Sequence, residues 1–505
     1  MTTKDPNLDR MKQLLGEIDD LRKASTLLFW DQRVMMPPGG AQARADALAT
    51  VGRLTHERFV DPDLGTLLEN LQGLEESLDY DSDDASLIRV TRRDYEKAVR
   101  VPPALTGEMR RASALALAAW GPAKEASDFE QLRPHLETLL ELRQRYVACF
   151  DPPDETYDVL LDDYEPGMKT AEAREIFDRL KQDLRPLIEE IADAGDIDDS
   201  FLKGDFDAEA QRAFSLEVVR RFGFTDAEWR LDTTAHPFMT TPGHGDVRLT
   251  TNFRPHDLTS IFASMHEFGH GVYEWGVAPE LARTPLANGA SAALHESQSR
   301  MWENLVARGR PFWTYAYDDL QAALPEQLGD VELERFYRYV NRIRPSLVRV
   351  DADEITYNLH IVLRFELERH LLAGRLEVRD LPEAFDERML SYLGLEVPDA
   401  LHGVLQDIHW ADVTLGYFPT YSLGNVMSVQ IWERARADLD DLDAQLERGE
   451  FGELAEWLRE HLHRHGRKLT PRETLLRAAG SEIDPEPYVR YLKGKLGEVA
   501  GVAVT

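Results

Sequence analysis

Residues 266–270 read His266-Glu267-Phe268-Gly269-His270. Helical side chains four positions apart lie one turn above each other, so His266 and His270 would project from one face toward a common point. Two imidazoles at that spacing suit a tetrahedral divalent ion, and a carboxylate beside them suits a base for the water in an open coordination position. That combination is hydrolytic chemistry. The plainer alternative is two surface histidines beside a surface glutamate, since the string also arises by chance in long chains. A catalytic centre of this type takes a third protein ligand, and Ala293-Leu294-His295-Glu296-Ser297-Gln298-Ser299-Arg300 offers two. Neighbouring helical residues diverge by about 100°, so His295 and Glu296 cannot both face one ion in the same way. Spacing does not choose between them; pairing with the His-Glu-x-x-His string, as in two-histidine, one-glutamate zinc sites, favours Glu296. Without that partner motif, Glu296 would read as an exposed helix carboxylate in an acidic chain.

The element that must carry the motif is predicted as a helix over Asp257 to Trp275, capped by Asp257 or Thr259, with Ile261, Phe262, Met265, Phe268 and Val272 as its buried stripe. Ahead of it, Thr241-Pro242-Gly243-His244-Gly245 clusters turn formers, and Asp246-Val247-Arg248-Leu249-Thr250-Thr251-Asn252 begins with the alternation of a strand. An exposed edge strand can hold an extended peptide by backbone hydrogen bonds. Asp246 to Asn252 is expected either to do this or to be a structural ribbon. Elsewhere apolar residues recur at three and four over Asn7 to Leu28, Pro134 to Tyr146, Ala171 to Ile191 and Ala352 to Leu372. Further breaks fall at Pro37-Pro38-Gly39-Gly40 and Asp151-Pro152-Pro153-Asp154. With no repeat, low-complexity tract or Gly/Ser linker, the expectation is a mostly α architecture forming one continuous body over residues 1–505.

A chain of 505 residues, 43% of them hydrophobic, can bury a large core. It has no 20-residue apolar span, and Met1 to Arg10 are polar with no apolar segment behind them, so no membrane association and a cytoplasmic location are expected. The single cysteine, Cys149, excludes an intrachain disulfide. Following Tyr146-Val147-Ala148, it is expected to be an ordinary buried thiol. Asp and Glu number 91 against 58 Lys and Arg, a net charge of -33. Such a surface does not release counterions from phosphate, which argues against a nucleic-acid partner. It repels itself until salt screens it over about 3 Å at molar ionic strength. A salt-loving source is inferred, the alternative being an acidic protein from an ordinary one.

Motifs along nearly the whole chain resemble the carboxypeptidase Taq family of metallocarboxypeptidases. They include Phe29-Trp30-Asp31-Gln32 with Met36-Pro37-Pro38-Gly39-Gly40-Ala41, and Tyr157-Asp158-Val159-Leu160-Leu161-Asp162 with Tyr164-Glu165-Pro166-Gly167-Met168. His236-Pro237-Phe238, Asp246-Val247-Arg248-Leu249-Thr250 and the two metal motifs follow. Val348-Arg349-Val350-Asp351-Ala352-Asp353 and Gly403-Val404-Leu405-Gln406-Asp407-Ile408-His409-Trp410 complete the series. Val348 and Val350 depart from the usual family residues around Arg349. The resemblance implies a two-lobed helical body around a deep groove, similar to neurolysin and angiotensin-converting enzyme, with a small β-ribbon beside the site. It also implies a homodimer and broad-specificity removal of single residues from peptide C-termini.

Carried onto this sequence, the resemblance makes His266, His270 and Glu296 ligands to one zinc or cobalt ion and Glu267 the general base. It associates the segments holding His236, Arg248, Arg349 and Gln406 with the closed end of the groove. An oxyanion donor is sought among Tyr421, His409 and His236, with the first two ranked equally ahead. A guanidinium suits a free carboxylate, with Arg349 the first choice and Arg248 the second. The rivals are a metallo-endopeptidase or dipeptidyl carboxypeptidase on the same scaffold, and a non-catalytic helical interaction protein. Glu267 argues against the last, because a structural metal site needs no base. The charge reading gives its own test: the melting temperature, followed from millimolar to molar sodium chloride, is expected to rise by several degrees, whereas an indifferent or falling melting temperature contradicts a salt-dependent fold.

Overall fold

In a computed structural model, which describes residues 4–194, 199, 201 and 204–500, the chain is mostly helical with one small sheet. It forms two compact units. The first comprises Met1–Val99, Asp199–Arg335 and Ile431–Glu482, the second Arg100–Asp198, Phe336–Gln430 and Ile483–Thr505. Each is assembled from three separated stretches, so neither is a contiguous module.

The first unit opens with α1 (Pro6–Val34), which Asp5 caps by accepting from the Asn7 and Leu8 amides. Leu8, Met11, Leu15 and Ile18 form its buried stripe and pack with Leu64, Leu68, Leu87 and Leu281. The helix α2 (Ala208–Phe222) precedes a sheet of β1 (Trp229–Thr233), β2 (Phe238–Gly243) and β3 (Asp246–Thr251). The order is β1-β3-β2, with β3 parallel to β1 (Trp229 opposite Val247) and antiparallel to β2 (Phe238 opposite Thr250). The hairpin turn and β3 lie where the sequence puts them. Of the two readings of the strand from Asp246, the peptide-receiving edge is overturned and the structural ribbon stands, because both its sides are paired. The sheet's edges are β1 and β2.

After the sheet come α3 (Thr259–Gly276) and α4 (Ala292–Arg300). The cap expectation is corrected: the helix starts at Thr259 with Leu258 in the cap position and no side-chain cap, and Asp257, one residue further out, accepts from the Thr259 amide at 2.8 Å. All five stripe residues, Ile261, Phe262, Met265, Phe268 and Val272, are buried. Ser291 caps α4 by accepting from the Leu294 amide, and the helix runs on into a π-helical turn over Met301–Val306. Phe222, Phe268 and Trp302 pack mutually, with centroid separations of 5.4, 5.1 and 4.7 Å, fixing α2, α3 and the π turn together.

In the second unit, helices Arg133–Val147 and Thr170–Ala194 fall on predicted stretches. The predicted helix from Ala352 begins later, as α5 (Thr356–Leu372), because Asp353 accepts from the Ile355 and Thr356 amides and starts it there. This helix is buried on nearly every side, including Asn358, His360, Arg364 and Glu368. Buried polar groups need partners. Glu368 accepts from the Tyr157 hydroxyl (2.6 Å), Trp410 Nε1 (2.9 Å) and the Gly416 amide (3.0 Å), which pins the turns leading into α6 (Pro419–Asp438). Gly416 has φ +100, and a Cβ there would sit 2.6 Å from the Leu160 carbonyl oxygen, so only glycine fits. Cys149 corrects another expectation. It is half-buried, in the turn after the helix that ends at Val147, and so lies off the stripe of Leu136, Leu139, Leu142 and Tyr146.

Candidate metal centre

One turn of α3 sets His266 above His270, with ring centroids 4.9 Å apart. The third group arrives from α4. At Gly269 the two helices meet backbone to backbone: a Cβ would fall 2.4 Å from the Gln298 carbonyl oxygen and 2.6 Å from Ser299 Cα. This approach carries Glu296 Oε2 to 3.4 Å from His270 Nε2 and 3.8 Å from His266 Nε2. Ligand atoms of His266, His270 and Glu296 all lie within 4.8 Å of one another. Ligands about 2.0–2.1 Å from a tetrahedral ion stand about 3.3 Å apart, so two imidazole nitrogens and a carboxylate oxygen at these separations fit a divalent metal.

The electrostatics agree with the donor chemistry. Burial pushes the His270 imidazole down to about 4, so the ring is neutral at neutral pH and has one bare nitrogen to offer. Burial alone would lower His266 as well, but Glu296 and Glu303 overcome it and draw positive charge to this position. Against its own burial, Glu296 is held well below the usual carboxylate range by Arg300 and the two histidines. Arg300 Nε donates to its Oε1 at 2.6 Å, leaving Oε2 toward the histidines. Glu267, beside the motif histidines and 6% exposed, is pushed up to about 7 by desolvation.

The remaining predicted residues divide between the units. Arg248, in the first, makes a two-bond fork with Asp246 (both 2.8 Å) and lies 4.3 Å from the Trp30 ring centre, so its charge is already compensated. His236 is exposed in the turn between β1 and β2. In the second unit Arg349, Gln406, His409 and Tyr421 share one cluster. Arg349, 6% exposed, donates from Nε (3.0 Å) and Nη2 (2.8 Å) to Asp407 Oδ1 and from Nη1 to the Tyr357 hydroxyl (2.9 Å). Arg364, fully buried on α5, donates to the other Asp407 oxygen at 2.6 Å. Gln406 accepts from the Arg349 amide at 2.8 Å and donates to the Leu347 and His402 carbonyls. His409 Nε2 is 3.0 Å from the Tyr421 hydroxyl, and burial pushes this imidazole down to about 4.

Comparison with known proteins decides the family. Residues 10–496 match the family described as Carboxypeptidase Taq (M32) metallopeptidase. The chain belongs to that family. It is 40% identical to thermostable carboxypeptidase 1 of Thermus thermophilus, covering 95% of this chain and 96% of the relative. It is 36% identical to carboxypeptidase 1 of Bacillus subtilis, with 95% and 96% covered. Among solved structures, the M32 carboxypeptidase of Deinococcus radiodurans superposes with a TM-score of 0.95 at 39% identity, covering 99% of this chain and all of that one. The Pyrococcus furiosus carboxypeptidase also gives 0.95, at 34% identity, with 98% and 100% covered. This carboxypeptidase Taq family member is accordingly a metal-dependent carboxypeptidase.

Sequence reasoning missed the groups behind the histidines. Glu303 Oε2 lies 2.9 Å from His266 Nδ1, with Arg300 and Arg308 each 3.3 Å from the same carboxylate. His295, weighed as a ligand, turns away from the three-residue cluster and places its Nδ1 2.6 Å from His270 Nδ1. The signal that could have found Glu303 is its i,i+7 spacing from Glu296, with Arg300 between them at i,i+4, which sets the three on one helix face. In this family member, Gly269→Ala is expected to force α3 and α4 apart, costing about 1–3 kcal/mol of stability, and to weaken metal binding at least as much as it weakens the fold. Denaturant titration alongside chelator competition measures both; unchanged metal affinity in the variant would contradict the role given to this contact.

Proposed function

We propose that His266, His270 and Glu296 hold one divalent ion, with zinc first and cobalt second, and that the whole chain, residues 1–505, serves one reaction. That reaction is hydrolysis of single residues from the C-termini of peptides, with broad specificity. The observation that carries the reading is the convergence of two Nε2 atoms and one carboxylate oxygen from two helices held together at Gly269. A divalent ion there supplies Lewis-acid chemistry, lowering the pKa of water toward about 7 and polarising the peptide carbonyl. Glu267 takes the proton from the attacking water and later returns it to the leaving amine. Its desolvated carboxyl, raised to about 7, suits a group that must both accept and release that proton near neutrality.

Arg349 is the proposed reader of the free terminal carboxylate, ahead of Arg248. The charge balance supports this order. Two guanidiniums, Arg349 and Arg364, share the single carboxylate of Asp407, which leaves one positive charge in the cluster unmatched, whereas Arg248 has Asp246 to itself. Gln406, with both ends of its amide bonded to backbone, acts by fixing the Arg349 turn. Tyr421 and His409, as a bonded pair, are proposed as the oxyanion donor and its orienting partner, with the exposed His236 third. Peptides are the partners, and a cytoplasmic homodimer from a salt-rich source is the proposed setting. Among the described residues no helix is long and apolar enough to cross a membrane.

Protein stripped by a chelator and assayed on an N-blocked dipeptide is expected to release free amino acid only when zinc or cobalt is restored. Glu267→Gln is expected to lower kcat by about 10²–10⁴-fold while still binding the ion. Dipeptide products or internal cuts from a longer N-blocked peptide would favour the endopeptidase or dipeptidyl alternative. Arg349→Ala is expected to raise KM at least about tenfold for peptides with a free C-terminus, and much less for amidated ones. An equal effect on both would show that Arg349 does not read the carboxylate.

A further inference from the structure

The two histidines of the centre are backed by different chemistry. His266 leans on a carboxylate, Glu303, whereas His270 leans on a second imidazole, and that imidazole leads to a buried acid: His295 Nε2 lies 3.3 Å from Glu274 Oε1. We propose that His295 and Glu274 form an orienting relay that fixes the tautomer and ring position of His270. This rests on the reading of His270 as a ligand.

The direction of the relay follows from donor counting. A neutral imidazole has one N–H and one bare nitrogen. If His270 presents bare Nε2 to the ion, its Nδ1 carries the hydrogen, and at 2.6 Å that hydrogen has His295 Nδ1 as its acceptor. His295 Nδ1 must then be bare and its Nε2 protonated, which makes Nε2 the donor to Glu274. Only one assignment satisfies all three groups. Reversing it would put a hydrogen on Nε2 of His270 and remove the ligand. Glu274, buried with its carboxyl held below its ordinary value by His295 despite desolvation, remains an acceptor at working pH.

The surroundings hold His295 flat. Its ring lies edge to edge with that of His270, close to coplanar (4.6 Å between centres, 27° between planes) as an in-line bond requires, and near-parallel to Tyr273 (5.6 Å, 29°), which accepts from the Ala290 amide at 3.1 Å. At the far end Lys23 of α1 draws the Glu274 carboxyl down by its charge and donates to the Thr241 carbonyl of β2 at 3.0 Å. The relay thus ties a metal-facing histidine to an edge strand and to the N-terminal helix. An outer partner of this kind typically changes metal affinity 10–100-fold when removed.

The test uses full-length protein, with zinc affinity measured by chelator competition and the visible bands of the cobalt-loaded form recorded for each variant. His295→Leu is expected to weaken zinc about 10–100-fold and shift the cobalt bands. His295→Asn, which keeps an acceptor for His270 but loses Glu274, is expected to fall between wild type and Leu, and Glu274→Gln to weaken zinc less than His295→Leu. A folded His295→Leu protein that binds zinc within about twofold of wild type, with unchanged cobalt bands, overturns the relay. Should His295→Leu not fold, wild-type affinity in both His295→Asn and Glu274→Gln overturns it equally. His270→Ala separates the two claims: if that variant keeps the full zinc affinity, the ligand set itself is wrong, whereas loss there beside unchanged His295 and Glu274 variants removes only the relay.

Discussion

The contact at Gly269 decides where charge can be placed in the first unit. Because α3 carries no side chain at that position, the Gln298 and Ser299 backbone of α4 comes against it, and Glu296 is delivered to the face that bears His266 and His270. A carboxylate brought into a desolvated site is costly unless paired. Arg300, one turn along the same helix, supplies the pairing, and the π turn that follows adds Glu303 behind His266. The close helix contact, the arginine and the π turn are therefore parts of one solution to placing a buried carboxylate beside two imidazoles.

That solution leaves the centre short of positive charge. Glu267, Glu296 and Glu303 gather around the two histidines, with Arg300 and Arg308 as their cationic partners. The shortage shows in how the groups titrate: Glu296 and Glu303 draw His266 upward against burial, while Glu267, without a partner of its own, is raised by desolvation. A divalent cation would relieve both tendencies, which favours the proposed metal site over a self-contained ion-pair network.

Much of this could be read from the residues, because the information was local. The i,i+4 histidines, the stripe of α3 and the turn before β3 all follow from spacing within a single element. What stayed hidden depended on contacts between elements. The strand at Trp229–Thr233, although its Trp-Arg-Leu-Asp pattern alternates, is too short to announce itself, and without it β3 looked like an edge. His295 read as a rival ligand because sequence gives its distance from Glu296 but not the neighbour it faces. Glu303 stands seven positions after Glu296 on the same helix face, but spacing does not show that it meets His266 of another helix, and Asp407 carried no sign that two arginines would meet on it.

The second unit solves the opposite problem with the same materials. There, α5 is buried on nearly every side and nevertheless carries Arg364 into the interior, where Asp407 must serve Arg349 as well. His360 and His409 add no charge, since burial and the neighbouring arginines push both imidazoles down, to about 3 and about 4. Three donors of Arg349 are engaged with Asp407 and Tyr357, and a guanidinium has five. A fold seeking only stability would match its buried charges one for one, because an unmatched interior charge is among the costlier things a core can hold. The cluster around His266 and His270 instead keeps an excess of carboxylates, and the cluster around Asp407 an excess of guanidiniums. The first sign suits the proposed metal cation and the second the proposed terminal carboxylate.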